Sequence, residues 1–156
     1  MPHGGNQVAR NTGLGRAKGE YVIVCDADIT MIPTCLEEMA TILDSRPDVS
    51  LVYSSFKWQW KVFPSHDFDL ELLKQMNYIN MAALVRKKDH PGFDAAIRRF
   101  QDWDVWLTIA LQGKKGYRIP KVLFTAGEHK GGISKWLPKF MYRIPWSKLG
   151  IKIGNI

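Results

Sequence analysis

Asp26-Ala27-Asp28 closes an apolar run, Tyr21 to Cys25, in which β-branched Val22, Ile23 and Val24 are consecutive. Residues i and i+2 of an extended chain point the same way, which aims Asp26 and Asp28 at one spot. Two clustered carboxylates repel each other unless a cation lies between them, and Mg²⁺ or Mn²⁺ favours oxygen ligands. A plainer role fits the same residues: one Asp caps the following helix or turn. Two more carboxylates, Asp102 and Asp104, open a segment with tryptophans at 103 and 106.

The elements around these residues can be read from periodicity. A short continuous apolar run predicts a strand buried on both faces, as in parallel sheets, and ligand sites of open α/β folds lie beyond the carboxyl ends of such strands. Before it, Asn6 to Lys18 predicts a short helix, with Val8, Ala9, Leu14 and Ala17 apolar and Arg10, Arg16 and Lys18 on its polar side. After it, Pro33 suits a first helical position, Thr34 and Glu37 have capping-box spacing, and Leu36, Met39, Ala40 and Leu43 recur at helical spacing. Residues 49–60 read as a strand or hairpin arm, 61–69 as a loop, 70–76 as a short helix and 78–86 as a strand. Asp102 opens a clear helix with Trp103, Trp106, Leu107, Ala110 and Leu111 on one face, stopped by Gly113. Residues 117–125 form a last strand.

With 156 residues, 46% of them hydrophobic and 24% charged, the chain has the composition of one globular domain, here placed at residues 1–132. No apolar run approaches the roughly 20 residues of a membrane span, and no signal-peptide pattern is present. Cys25 and Cys35 are expected to be free thiols in a reducing, cytoplasmic setting. A net charge of +7 favours an anionic partner. Residues 133–156 form a basic, aromatic tail. It either packs back over the domain or, through 133–152, rests peripherally on an anionic membrane surface. No nucleic-acid motif is present, and no nucleic acid is expected.

Several short motifs occur in a telling order: Ala9-Arg10-Asn11-Thr12-Gly13-Leu14, Ala17-Lys18-Gly19-Glu20-Tyr21-Val22, Asp26-Ala27-Asp28, Gly92-Phe93-Asp94, then Gln101-Asp102-Trp103-Asp104-Val105-Trp106-Leu107. Over about residues 5 to 134 this set resembles the family 2 glycosyltransferases, whose catalytic domain has the GT-A fold. The resemblance implies an α/β domain with a mostly parallel sheet flanked by helices. It is partial, because the strand–helix–strand that begins the family's domain has no counterpart before Ala9. It also implies sugar transfer from a nucleotide-diphosphate donor to a glycan or lipid-linked acceptor, with inversion, at the inner face of the membrane. On that pattern Asp26 and Asp28 hold Mn²⁺ or Mg²⁺ and the donor, with Asp28 the direct ligand. His129 lies near the metal or phosphates, and Arg10 and Asn11 lie on the donor side. Asp102 matches the acidic position at the helix start and becomes the candidate base, with Gln101 where a Glu is common. Asp104 is expected to be a solvated or capping carboxylate.

The chemistry asks for the same groups. Charge accumulating on a departing diphosphate is stabilised by a dication, and the attacking hydroxyl must lose its proton to a base. Two other readings compete. Val22 to Thr30 also fits the Asp-x-Asp-x-Thr of haloacid-dehalogenase-like phosphohydrolases, with Asp26 as nucleophile, Asp28 as acid/base and Ser54 or Ser55 ending a second strand. An inactive fragment or binding module is the other.

Overall fold

Val49–Trp58, dense in β-branched and aromatic residues, forms the strand around which a six-stranded sheet is assembled. The computed structural model describes residues 5–97 and 99–127. In chain order these form α1 (Gly5–Arg16), β1 (Tyr21–Ile23), β2 (Ile29–Met31), α2 (Cys35–Ser45), β3 (Val49–Trp58), β4 (Lys61–Phe63), α3 (Leu70–Gln75), β5 (Leu84–Arg86), a 3-10 turn (Lys87–Asp89), α4 (Gln101–Leu111) and β6 (Lys115–Ala126). The sheet runs β1-β5-β3-β6-β2, with β4 added to β3.

The class is α/β as expected, but the sheet is mixed and not mostly parallel. Among the described strands only β3 and β6 run parallel; the β1–β5, β3–β5, β3–β4 and β2–β6 pairs are antiparallel. Parallel neighbours need a crossover of a dozen residues or more, and the segment between β3 and β6 provides one. The tight Trp58–Lys61 connection can only reverse the chain. It does so with Gln59 in the left-handed region at φ 53°, and it turns the start of the loop expected at 61–69, Lys61–Phe63, into a further strand.

Side-chain alternation distributes the core over both faces of the sheet. Leu51, Tyr53, Val85 and Val22 point toward α4 and its Trp103, Trp106, Leu107 and Ile109. Val52 and Leu84 point toward α2 and its Cys35, Met39 and Leu43, joined there by Leu123 and Phe124. The register of β3 against β6 slips between Ser54–Ile119 and Ser55–Val122, so Pro120, which lacks an N–H to donate, lies in the bulge.

Three local expectations change. β1 is shorter than the apolar run and pairs on one side only, with β5, so Val22 is buried but Cys25 is exposed. Residues 78–83 are largely buried without being a strand, and strand geometry begins at Leu84. Thr34 occupies the cap of α2 in helical conformation, and its hydroxyl donates to the Glu38 carboxylate at 2.9 Å instead of receiving a backbone N–H.

Arg86 is buried at the end of β5. It donates to Val49 O (2.8 Å), to Arg46 O (3.3 Å) and to Leu43 O, two of these being carbonyls that the end of α2 leaves without helical partners. Glu20 lies 3.6 Å away and the Tyr21 ring packs against the guanidinium. Arg86→Met keeps the stem but strands buried acceptors. It is expected to cost about 1–3 kcal/mol, read as a lower denaturant midpoint at unchanged slope.

Candidate active site

Helix α1 turns a polar stripe inward. Gln7, Arg10, Asn11 and Leu14 recur at i, i+3, i+4 and i+7 and therefore share a face. Gln7 Nε2 donates to Ile97 O at 2.5 Å. Asn11 grips the Phe93 backbone twice, donating from Nδ2 to the carbonyl and accepting from the amide, both at 2.8 Å. Gly92, at φ 85°, lets the loop pass close to Asn11. The apolar residues expected to face inward do not all do so; Val8 is exposed. Its helix docks on a loop rich in unpaired backbone groups, and polar side chains satisfy them.

Arg10 connects two distant motifs. Its Nη2 donates to Asp26 Oδ1 at 2.9 Å and its Nη1 to Gln101 Oε1 at 2.5 Å, with the Phe93 ring 5.5 Å from the guanidinium carbon. The Asp-x-Asp loop after β1 and the start of α4 thereby meet at one end of the sheet. Asp26 is the more exposed partner, with 53% of its side-chain surface open against 16% for Arg10. Asp28 is half-buried, and its carboxylate makes no hydrogen bond or ion pair with the described residues. Its backbone is fixed: Gly127 N donates to Asp28 O at 2.7 Å, and a Cβ at Gly127 would lie 3.0 Å from that oxygen. Trp58 Nε1 holds the Gly127 carbonyl at 3.2 Å. His129 lies outside the described residues, as does the tail from 133.

Asp102 is the second residue of α4, so it does not cap the helix; Phe100 occupies that position. Phe100 is in the left-handed region at φ 59°, a strained conformation for a bulky side chain, and its ring meets Trp103 edge-on at 5.8 Å. The Asp102 carboxylate accepts from Asn77 Nδ2 at 2.9 Å. Burial pushes its pKa up. The Asn77 amide, the backbone amides of Trp103 and Asp102 and the charge of Arg10 pull the other way without cancelling the rise. Asp104 is buried, contrary to the expectation of a solvated group. Burial, and then the charge of Asp94, push its pKa up. His90, which accepts from Gly92 N at 3.0 Å, is pushed down to about 4 by burial and stays neutral at physiological pH.

Of the residues singled out in the sequence, Arg10 and Asp26 touch. Asp102 follows Gln101 in that contact, and Asn11 supports the loop beside them. Gln7, Gln101 and Asn77 were not foreseen as contributors. The spacing of Gln7, Arg10 and Asn11 was a signal for the first, whereas nothing local announces Asn77. No group of three or more Asp, Glu, His or Cys capable of holding a metal occurs among the described residues. β1 ends at Ile23, and Asp26 to Asp28 lie in a turn closed by Ile29 N on Asp26 O at 3.1 Å, not on the extended chain expected. Mg²⁺ in general needs only one or two carboxylates, with substrate phosphates and water completing its shell. The phosphohydrolase alternative loses its parts. Ser55 shares a hydrogen bond with Ser65 at 3.1 Å within the fold, and among the described residues no strand leads into Asp102. Among the described residues, no helix is long and apolar enough to cross a membrane.

A profile described as Glycosyl transferase family 2 matches residues 1–106. Among curated proteins, the chain is 26% identical over 132 residues to the uncharacterized glycosyltransferase YwdF of Bacillus subtilis, covering 76% of this chain and 47% of that protein. It is 28% identical over 135 residues to the uncharacterized protein y4gI of Sinorhizobium fredii, covering 75% of this chain and 14% of that one. Among solved structures, S. aureus TarS residues 1–349 in complex with UDP superposes with a TM-score of 0.65 at 17% identity, covering 80% of this chain and 40% of that one. The chain therefore spans less than half the length of these relatives.

Proposed function

Because the chain belongs to glycosyl transferase family 2, we propose that it carries the metal-and-donor side and the general base of an inverting sugar transfer from a nucleotide-diphosphate donor to an acceptor hydroxyl. The observation that supports this most is the Arg10 bridge between Asp26 and Gln101, which joins the Asp-x-Asp loop to the helix start that bears Asp102. A neighbour of the same fold binds UDP, which agrees with a nucleotide-linked donor.

Each residue then has a part. Asp28, with no partner among the described residues, is the direct metal ligand; Asp26, steadied by Arg10, lies beside it and faces the donor, and His129 completes the set. Mn²⁺ or Mg²⁺ held there supplies a Lewis acid for the charge that develops on the diphosphate. Arg10 adds a fixed positive charge on the same side, and Asn11 keeps the Phe93 loop in place beside it. On the acceptor side, Asp102 takes the hydroxyl proton as the oxygen–anomeric carbon bond forms. The carbon–phosphate oxygen bond breaks in step, and its electron pair leaves with the nucleoside diphosphate. The acceptor is a glycan or lipid-linked sugar at the cytoplasmic membrane face, with the 133–152 tail as a peripheral contact.

Calorimetry with UDP and MnCl₂ tests the metal assignment. Mn²⁺ is expected to tighten UDP binding to the wild-type chain, and Asp28→Asn to abolish that gain. Equal, metal-independent binding by both proteins would refute it.

A further inference from the structure

We propose that Asn77 is a positioning residue for Asp102, its amide donating to the carboxylate and holding it in one orientation to take the acceptor's proton. This rests on the reading of Asp102 as the base. Asn77 lies just past α3, and its amide is used at both ends. Nδ2 donates to Asp102 Oδ2 at 2.9 Å, while Oδ1 accepts from Ile79 N at 3.3 Å. The second bond fixes which end of the amide faces Asp102, so a donor meets the carboxylate.

The segment carrying Asn77 is itself anchored to the helix carrying Asp102. Trp103 Nε1 donates to Leu73 O at 2.6 Å and Trp106 Nε1 donates to Ile79 O at 3.0 Å. These two indoles, both from α4, hold the 73–79 segment on either side of Asn77. The donor is thus preorganised, which is what a group that tunes a reacting carboxylate requires. The Asn77 bond engages Oδ2, and the backbone amides of Trp103 and Asp102 also act on the carboxylate. Burial alone would favour the neutral acid, which cannot act as a base; a donor to the ionised form opposes this. The other charge acting on Asp102 from a packed element is Arg10 of α1, which favours the ionised form as well.

Two substitutions separate this role from a purely structural one. Asn77→Leu removes both bonds. Asn77→Asp keeps an oxygen for Ile79 N but puts a second acid against Asp102. Carboxyl-¹³C NMR of Asp102 in this chain, assigned through the loss of its signal in Asp102→Asn, gives its titration midpoint without needing substrate. The midpoint is expected to rise by about one pH unit or more in both variants, the scale of one hydrogen bond to a charged group, with a two-step coupled titration in Asn77→Asp. A midpoint unchanged in the folded Asn77→Asp protein would overturn the proposal, whatever happens to its melting temperature. The base reading fails separately, through Asp102→Asn turning over nucleotide sugar at the wild-type rate. In that case an Asn77-dependent midpoint would still establish the contact and leave it without a catalytic role.

Discussion

Asp102→Asn is expected to lower sugar transfer by about 10²–10⁴-fold, the usual contribution of a general base, while the protein stays at least as stable at neutral pH. Asn keeps the shape of the side chain and its capacity to meet the Asn77 amide, but it cannot accept a proton. The stability half follows from the upward pKa of Asp102. A carboxyl raised above its unfolded value favours the fold while it is protonated. That contribution is complete at low pH and fades as pH rises through the folded value, and an uncharged Asn does not lose it. Asp102→Ala should abolish turnover equally but, unlike the Asn variant, also melt earlier, because it leaves the Asn77 amide without its acceptor at a cost of about 1–3 kcal/mol. Release of nucleoside diphosphate from a panel of nucleotide sugars reads the first effect, and thermal melts at two pH values read the second. Near-normal turnover in the Asn variant would move the search to Asp104, which is buried, raised in pKa and two residues along the same helix.

Trp106→Ala should unfold a large part of the population at 37 °C. Trp106 is 1% exposed and belongs to the cluster between α4 and the sheet. Truncating a buried tryptophan costs about 3–5 kcal/mol, and losing the indole N–H strands the Ile79 carbonyl for about 1–3 kcal/mol more. Against a typical stability of about 5–15 kcal/mol this is a large fraction. Trp106→Phe keeps the ring volume better and should lose chiefly the hydrogen-bond part, so the pair of variants divides packing from polar satisfaction. Chemical denaturation gives both values, and a loss under about 2 kcal/mol for Trp106→Ala would mean that the α4 face is not the core described here.

Helical elements with apolar periodicity were legible before any coordinates. Met39 and Leu43 in α2, and Trp103, Trp106, Leu107 and Ala110 in α4, are buried as their spacing predicts, because a repeat near 3.6 residues can bury only one face of one kind of element. The ordered motifs also carried the family, since short runs of specific residue types survive independently of how strands are paired. Leu36 and Leu111 share those repeats yet lie exposed, at the margins of the two faces.

What the linear pattern could not reveal is where partners meet across the chain. An apolar run says that a strand is covered; it does not say which strand lies beside it or in which direction, and so the parallel expectation for β1 gave way to an antiparallel pairing with β5. The stripe of Gln7 and Asn11 on α1 could not be read as a docking face, because nothing nearby in sequence shows that it meets backbone groups some 80 to 90 residues later. Arg10 was marked by a motif, but its joint hold on Asp26 and Gln101 exists only once α1, the β1 loop and α4 converge. Asn77 carried no mark at all. Its significance depends on a carboxylate 25 residues away, brought within 2.9 Å by two indole hydrogen bonds. Residue type and local spacing determine which groups are available for chemistry and which faces must be buried, whereas hydrogen bonds between segments far apart in the chain decide which of those groups act together.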